Sequence, residues 1–432
     1  MHSKRFFLIY LLAAVILVSC GPAQPTPAAT ATPAAIQASP TPTGAATQGP
    51  GAEAASPLTL KLWLPPDFDP NSNTQASELL RAQLDTFAAS HPDVRLEVRV
   101  KALEGPGGLL DSLYAASAAA PLALPDLIAL PRPLLEAAAL KGLVYSYDGL
   151  TAIMDQDGWY SYAQQLAHLQ SSIFGLPFAG DALVLVYRPA TLETPPGNWA
   201  DVTALGSPLL FSASDPEALF TLALYQSAGG PIQDEQGRPT LDQETLAQVF
   251  SFYRQSAQSG VMPYWLTQYE TEEQVWAAFA DGQASMAVAW LGYYLNHAGT
   301  LPVIATAAPI PTADGTPYTL ATGWVWALAS PDPLHRQVSA ELAEHLVDPA
   351  FLAQWTPAAG YLPVHQTTPE GWSDASLRSL TGRVALSARL TPSIDLLSGL
   401  GSAMRTAVVQ VLKQQSDANV AAEAAAAQLN QP

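Results

Sequence analysis

The stretch Leu58 to Leu64 reads LTLKLWL, and its Leu60, Leu62 and Leu64 alternate with Thr59, Lys61 and Trp63. A period of two is that of a strand, whose side chains point to opposite faces in turn. Pro65-Pro66 ends it, and the polar cluster Asn71-Ser72-Asn73-Thr74 opens a helix. From Gln75 to Ser90 the residues Leu80, Leu84, Phe87 and Ala88 recur at helical spacing, until His91-Pro92-Asp93 breaks the pattern. Val94, Leu96, Val98 and Val100 then alternate as a second strand. Strand, helix, strand in that order is a parallel crossover unit. It commits the chain to an α/β sheet covered by helices rather than to a sandwich or a bundle.

The alternation continues. Leu109 to Ala119 reads as a helix, PDLIAL as a short buried strand, and Leu134 to Lys141 as a helix stopped by Gly142. LVLVY at Leu183 to Tyr187 is the apolar run of a strand buried on both faces. Helices are expected at Asp215 to Ala228, Leu241 to Gln258 and Glu272 to Ala280, with strands at Ser285 to Trp290 and Trp324 to Ala329. Helices dominate the rest, notably Met404 to Lys413 and Asn419 to Leu429.

The amino end has a different character. Lys4 and Arg5 precede an apolar run from Phe6 to Val18, then Ser19 and Cys20. That is the layout of a secretory signal, and the run is shorter than the ~20 residues a transmembrane helix needs. Leu17-Val18-Ser19-Cys20 looks like a bacterial lipobox, with Cys20 carrying the lipid after residues 1–19 are removed. Cys20 is the only cysteine, so no intramolecular disulfide can form and the fold rests on its core. Residues 20–57 are mostly Ala, Pro, Thr and Gln with the single charge Glu53 and one large aliphatic residue, Ile36, too little apolar surface to offset ordering. They are expected to be a disordered stalk spanning on the order of 35 Å or more.

Charge narrows the partners. Lys and Arg number 18 against 37 Asp and Glu, and losing the leader with Lys4 and Arg5 makes the balance more negative still. Such a surface repels phosphate backbones, so no nucleic acid is expected.

Several segments in order resemble the extracellular solute-binding proteins of ABC importers, in the carbohydrate-type family that includes the maltose-binding proteins. LTLKLWL followed by LLRAQLDTFAASHPDVRLEV is similar to that family's opening strand, helix and second strand. PDLIALPRPLLEAAALKGLVYSYD, IFGLPFAGDALVLVYR, AGGPIQDEQGRPTLDQETLAQVFSFYRQSAQSGVMP, VWAAFADGQASMAVAW and AMRTAVVQVLKQQSDANVAAEAAAAQLN follow in the family's order. The likeness covers nearly all of Leu58 to Asn430. It implies a two-lobed α/β fold of the periplasmic-binding-protein kind, type II, with open mixed or parallel sheets flanked by helices and a hinge between lobes. On that reading residues 58–180 and about 316–346 form lobe 1, and 181–315 with about 347–432 form lobe 2. It also implies a monomer that captures a small solute, a sugar or oligosaccharide first. The solute passes to an ABC permease in the membrane that holds the lipid, on its extracytoplasmic face. Neither a cofactor nor a metal is implied.

Candidate contacts lie beyond the carboxyl ends of strands. Asp67 and Phe68 follow the first strand, Asp67 serving either the solute or its own turn. Asp181 matches an acidic family position that accepts sugar hydroxyls, the alternative being a loop cap. Trp290, Tyr293 and Tyr294 stand where the family places aromatic platforms, and Trp324 at an aromatic entry to a cleft strand; interlobe packing is the alternative for each. Trp63 and Trp326 read as core, and Arg132 as a salt-bridge residue rather than an anion contact. Two departures, Gly401-Ser402 in place of an aromatic pair and Leu130 in place of Trp, do not support maltose as the solute.

Catalytic signatures are missing: no H-E-x-x-H, G-x-S-x-G or Walker segment occurs. His335 and His345 lie ten residues apart, roughly 15 Å along a helix, and make poor co-ligands. Asp155-Gln156-Asp157-Gly158 reads as a turn without the other ligands of a calcium loop. Three readings stand: a sugar importer's binding protein, the same fold serving another solute or a sensor, and a lipid-anchored hydrolase.

Overall fold

The computed structural model describes residues 57–429; Cys20, the leader and the stalk lie outside the described residues. Eleven strands run β1 (Leu58–Leu64), β2 (Val94–Val100), β3 (Leu127–Pro131), β4 (His168–Leu169), β5 (Ser172–Ile173), β6 (Leu176–Tyr187), β7 (Leu209–Leu210), β8 (Met286–Trp290), β9 (Thr306–Ala308), β10 (Thr319–Leu328) and β11 (Ala388–Leu390). The first helices are α1 (Gln75–Ser90), α2 (Leu109–Ala119), α3 (Arg132–Leu140), α4 (Ser161–Ala167), α5 (Trp199–Ala204), α6 (Leu219–Ser227) and α7 (Gln243–Gln258). They are followed by α8 (Glu272–Ala280), α9 (Leu291–His297), α10 (Pro333–Leu346), α11 (Pro349–Ala359), α12 (Ala375–Ser387), α13 (Ile394–Leu412) and α14 (Ala418–Leu429).

The opening unit forms as its periodicity dictates. Leu58 to Leu64 pair in parallel with Val94 to Val100, and α1 crosses between them. Thr74 caps α1 by accepting from the Ser77 amide while Ser77 Oγ accepts the Thr74 amide, a capping box that satisfies two otherwise orphaned donors. Leu80, Leu84 and Phe87 are buried under the sheet's face.

The sheet path runs β2-β1-β3-β10-β6-β8-β7, with β11 on β10 and β9 on β6. Two long strands carry it across the molecule. Leu176 to Ala182 of β6 pair with β10, whereas Leu183 to Tyr187 pair with β8, and Leu185 to Tyr187 also with β9. β10 in turn pairs with β11 at Thr319 to Ala321 and with β3 at Trp324 to Leu328. The change of partner between Ala182 and Leu183 is the crossing that joins the two halves of the sheet.

Three elements extend beyond their sequence pattern, for identifiable reasons. LVLVY is only the end of the twelve-residue β6, because Pro177 and Gly180 interrupt the apolar run. Trp324 to Ala329 is the second half of β10, whose Gly323 lies against Ala179 O with no room for a side chain. Met404 to Lys413 is the tail of α13, which begins at Ile394 through Gly399 and Gly401. Conversely, the helix expected from Asp215 starts at Leu219: Asp215 accepts the Glu217 and Leu219 amides, and Ala218 takes φ +49 before the first turn. Late in the chain α11 packs against α1, and α13 and α14 pack against α7.

Candidate functional site

Asp181 sits one residue before the change of partner on β6, opposite Thr322 of β10. Its Oδ1 accepts the amide of Ala182 at 2.8 Å and that of Gly292 at 2.9 Å. Gly292 is in the first turn of α9, so the carboxylate closes a helix amino terminus. Burial nevertheless pushes the group up to about 7, the amides of Gly292, Ala182 and Leu291 opposing it. A side chain at 292 would bring its Cβ to 2.9 Å from Asp181 Oδ2, which accounts for the glycine.

A second raised acid lies nearby. Glu272, in the first turn of α8, accepts the Trp290 amide at 2.5 Å. Burial is the main cause that lifts it to about 8, and the negative charges of Asp181 and Glu273 add to this. Below Trp290 a cavity of about 190 Å³ has Phe211 and Phe220 in its wall together with Asp215, Glu270 and Glu272, and no Lys, Arg or His lines it.

The remaining candidates divide by burial. Asp67 is exposed on its turn, and Trp290, Tyr293 and Trp324 are partly exposed. Phe68 and Tyr294 are only 3% and 5% exposed and offer no free face in this structure. Phe68 meets Trp324 edge-on at 4.9 Å and Phe178 at 5.1 Å, and the Tyr294 hydroxyl donates to Ala305 O at 3.2 Å. Tyr293 stacks on His297 at 4.0 Å and meets Trp276 at 5.5 Å. Trp63 and Trp326 are core, each 2% exposed.

Two aromatic residues in this neighbourhood escaped the sequence reading. Tyr361 stacks on Trp355 with ring planes 7° apart, and Phe68 touches both rings at 5.8 Å. The turn that presents Tyr361 is clasped to β6: Gly180 N donates to Leu362 O at 3.0 Å and Leu362 N to Gly180 O at 2.7 Å. The available signal was Gly360, a helix stop at φ +71 followed at once by an aromatic residue.

Residues set aside as structural take structural places. Arg132 pairs with Glu136 at 2.7 Å and donates to the carbonyls of Gln165, Leu166 and His168, joining α3 to the end of α4. His335 bonds Asp126 at 2.8 Å, and His345 bonds the Gln83 carbonyl at 3.0 Å. Gly401 lets α13 approach the Pro216 carbonyl where a Cβ would collide, so position 401 has no room for an aromatic side chain.

Residues 71–334 match the family model of bacterial extracellular solute-binding proteins. The chain belongs to this family. No curated sequence matches it, but many solved structures do. One is the cyclic alpha-maltosyl-1,6-maltose binding protein of Arthrobacter globiformis, at 18% identity and TM-score 0.72, covering 87% of this chain and 98% of that one. Another is the sugar-binding protein MalE of Xanthomonas citri, at 17% identity and TM-score 0.71, covering 86% and 96%. A third is the maltose-binding periplasmic protein MalE of Listeria monocytogenes in complex with maltose, at 13% and 0.69, covering 86% and 96%. At these identities the likeness is one of fold. This solute-binding protein thus has the two-lobed α/β architecture, and its family is one of binding proteins. Among the described residues no helix is long and apolar enough to cross a membrane.

Proposed function

We propose that this solute-binding protein captures a neutral sugar or oligosaccharide at the β6–β10 crossing and hands it to an ABC importer. One observation carries the reading. Around the crossing at Asp181 are three partly exposed aromatic residues: Trp290, paired with Leu183, and Trp324, paired with Ala179, both expected from sequence, and Tyr361, not expected, which shares Phe68 with Trp324. Aromatic faces with a few convergent acceptors are the general form of a carbohydrate site. Asp67 and Tyr293 belong to its rim, with Phe68 holding other rings from beneath and Tyr294 buried behind it. The lobes on this reading are 58–180 with about 316–346 and 181–315 with about 347–432, α11 lying against the first.

Delivery requires the protein to stay near its permease. Lipid on Cys20, the stalk of residues 20–57 and a monomeric body at the extracytoplasmic face meet that need. Each buried acyl methylene contributes about 0.8 kcal/mol, so more than one chain makes the attachment durable.

The test is a thermal-shift panel. A ligand that binds only the native state adds about 2.7 kcal/mol at a hundredfold excess over Kd. A neutral sugar is expected to raise the midpoint. A second reading, an amine-bearing solute, is favoured by the cavity under Trp290, where three acids meet two aromatic walls without a basic residue. A midpoint moved by amines and by no sugar would replace the first reading with the second.

A further inference from the structure

At the crossing, the Tyr361 hydroxyl and the Asp67 carboxylate have no hydrogen-bond partner among the described residues, while the Ala182 and Gly292 amides both bond Oδ1 of Asp181. These groups belong to one neighbourhood: Phe68, next to Asp67, meets the Tyr361 ring at 5.8 Å, and Leu362, next to Tyr361, is bridged by two backbone bonds to Gly180, next to Asp181. With burial as the larger cause, the charges of Asp67 and Asp181 push the Tyr361 phenol well up, so it remains an O–H donor across the working range. Above about pH 7, the folded-state value of Asp181, its carboxylate is ionised and only accepts. Each hydroxyl of a sugar both donates and accepts, so a site built from Asp67 and Asp181 alone would leave solute acceptor oxygens unmet.

Tyr361 is also held in place before any solute arrives. Its ring lies on Trp355 at 6.0 Å and against Phe68, and its amide donates to Thr356 O at 3.2 Å. The next residue makes both bonds of the bridge to Gly180, whose missing side chain leaves space for Tyr162; the Tyr162 hydroxyl donates to Pro363 O at 2.6 Å. A donor fixed on such a turn loses little freedom on binding.

We propose that Tyr361 is a specificity-determining residue of the solute site: its hydroxyl donates to an acceptor oxygen of a neutral polyhydroxylated solute, while Asp67 and Oδ2 of Asp181 accept hydroxyls of the same molecule. The inference rests on the sugar reading above.

The experiment measures affinities of the full-length chain carrying Cys20→Ser, and of the same chain with Tyr361→Phe, for maltose, cellobiose, trehalose and xylobiose. Singly deoxygenated forms of whichever sugar binds are included. Tyr361→Phe is expected to weaken binding about 3- to 10-fold, the worth of one neutral hydrogen bond. One deoxy sugar should lose the same factor with the parent chain and nothing further with Tyr361→Phe. The unliganded unfolding midpoint should stay, because the deleted hydroxyl bonds nothing in the protein. Equal affinity of both chains for a sugar would overturn the role of Tyr361 and leave the sugar reading standing. Weakening that no deoxy analogue escapes would mark Tyr361 as a packing residue and overturn the proposal equally. If none of the sugars binds the parent chain, the sugar reading falls and this assignment falls with it.

Discussion

The carboxylate of Asp181 accepts the amide of Gly292, 2.9 Å away and 111 residues further along the chain. This bond joins the crossing strand to the first turn of α9, and it separates two roles of one side chain. Asn keeps an acceptor oxygen for the amides and loses the charge; Ala loses both. Asp181→Asn is therefore expected to fold with an undiminished midpoint, while Asp181→Ala leaves the Ala182 and Gly292 amides unmet, at about 1–3 kcal/mol for a buried donor. Both should lose solute binding. Denaturant unfolding and the sugar panel check this, and a bound sugar unaffected by either change would remove Asp181 from the site.

Acidity gives an independent handle. The folded-state values of Asp181 and Glu272, about 7 and about 8, lie above the unfolded ones, so the native protein holds more protons between roughly pH 4 and 8. Stability must then fall as pH rises through that window and level off above it. The unliganded midpoint is expected to drop from pH 5 to pH 8, and Asp181→Asn or Glu272→Gln should flatten the drop. A midpoint that rose with pH, with no flattening in either variant, would contradict the burial of these carboxyls.

Space at the crossing is equally exacting. A Cβ at position 180 would run into the Tyr162 hydroxyl, and one at 292 would lie 2.9 Å from Asp181 Oδ2 and 3.3 Å from Gly360 O. Gly180→Ala and Gly292→Ala should each cost about 1–3 kcal/mol, as overpacking does. Gly382→Ala, inside α12 with nothing within 4 Å of its Cβ, is the comparison, expected to lose nothing and to gain about 0.5–1 kcal/mol from helix propensity. Urea midpoints of the three variants decide the point.

Arg132 separates a structural cation from a binding one. Its side chain is 12% exposed and that of Glu136 9%, and Arg132 also meets three backbone carbonyls. Removing one partner of such a pair strands the other, so Arg132→Met should destabilise by about 3–5 kcal/mol. Solute affinity, measured below the lowered midpoint, should not change.

Cys20→Ser removes the sole thiol on which lipid can be placed. The variant is expected in the soluble extracellular or periplasmic fraction, with the parent chain in membranes. Equal partition of the two would dispose of the anchor.

Much of the fold was legible because it rests on local periods. β1, α1, β2, α2 and α8 fall where LTLKLWL, the Gln75 helix and their successors place them, since one buried face suffices to write each pattern. The long strands were read only in part: β6 is buried on both sides and contains Pro177 and Gly180, so its meaning depends on β10, more than a hundred residues away. The site was legible in the same proportion. Asp181 stands out as an acid before an apolar strand, but Tyr361 gains its surroundings from Trp355, Phe68 and Gly180, three separate parts of the chain. Phe68 and Tyr294 show the reverse, since an aromatic residue beside a strand end is written alike whether it faces solvent or the interior.

The position of β10 between β3 and β6 governs the order of assembly. The β2-β1-β3 half and the half built on β6 share no strand pairing of their own and are joined only through β10, which begins at Thr319. Each half can pair its own strands before then, but the two cannot be united until Thr319 to Leu328 are in place. Such distant pairing makes acquisition of structure slow. The joint between the halves therefore waits for a segment about three quarters of the way along the chain.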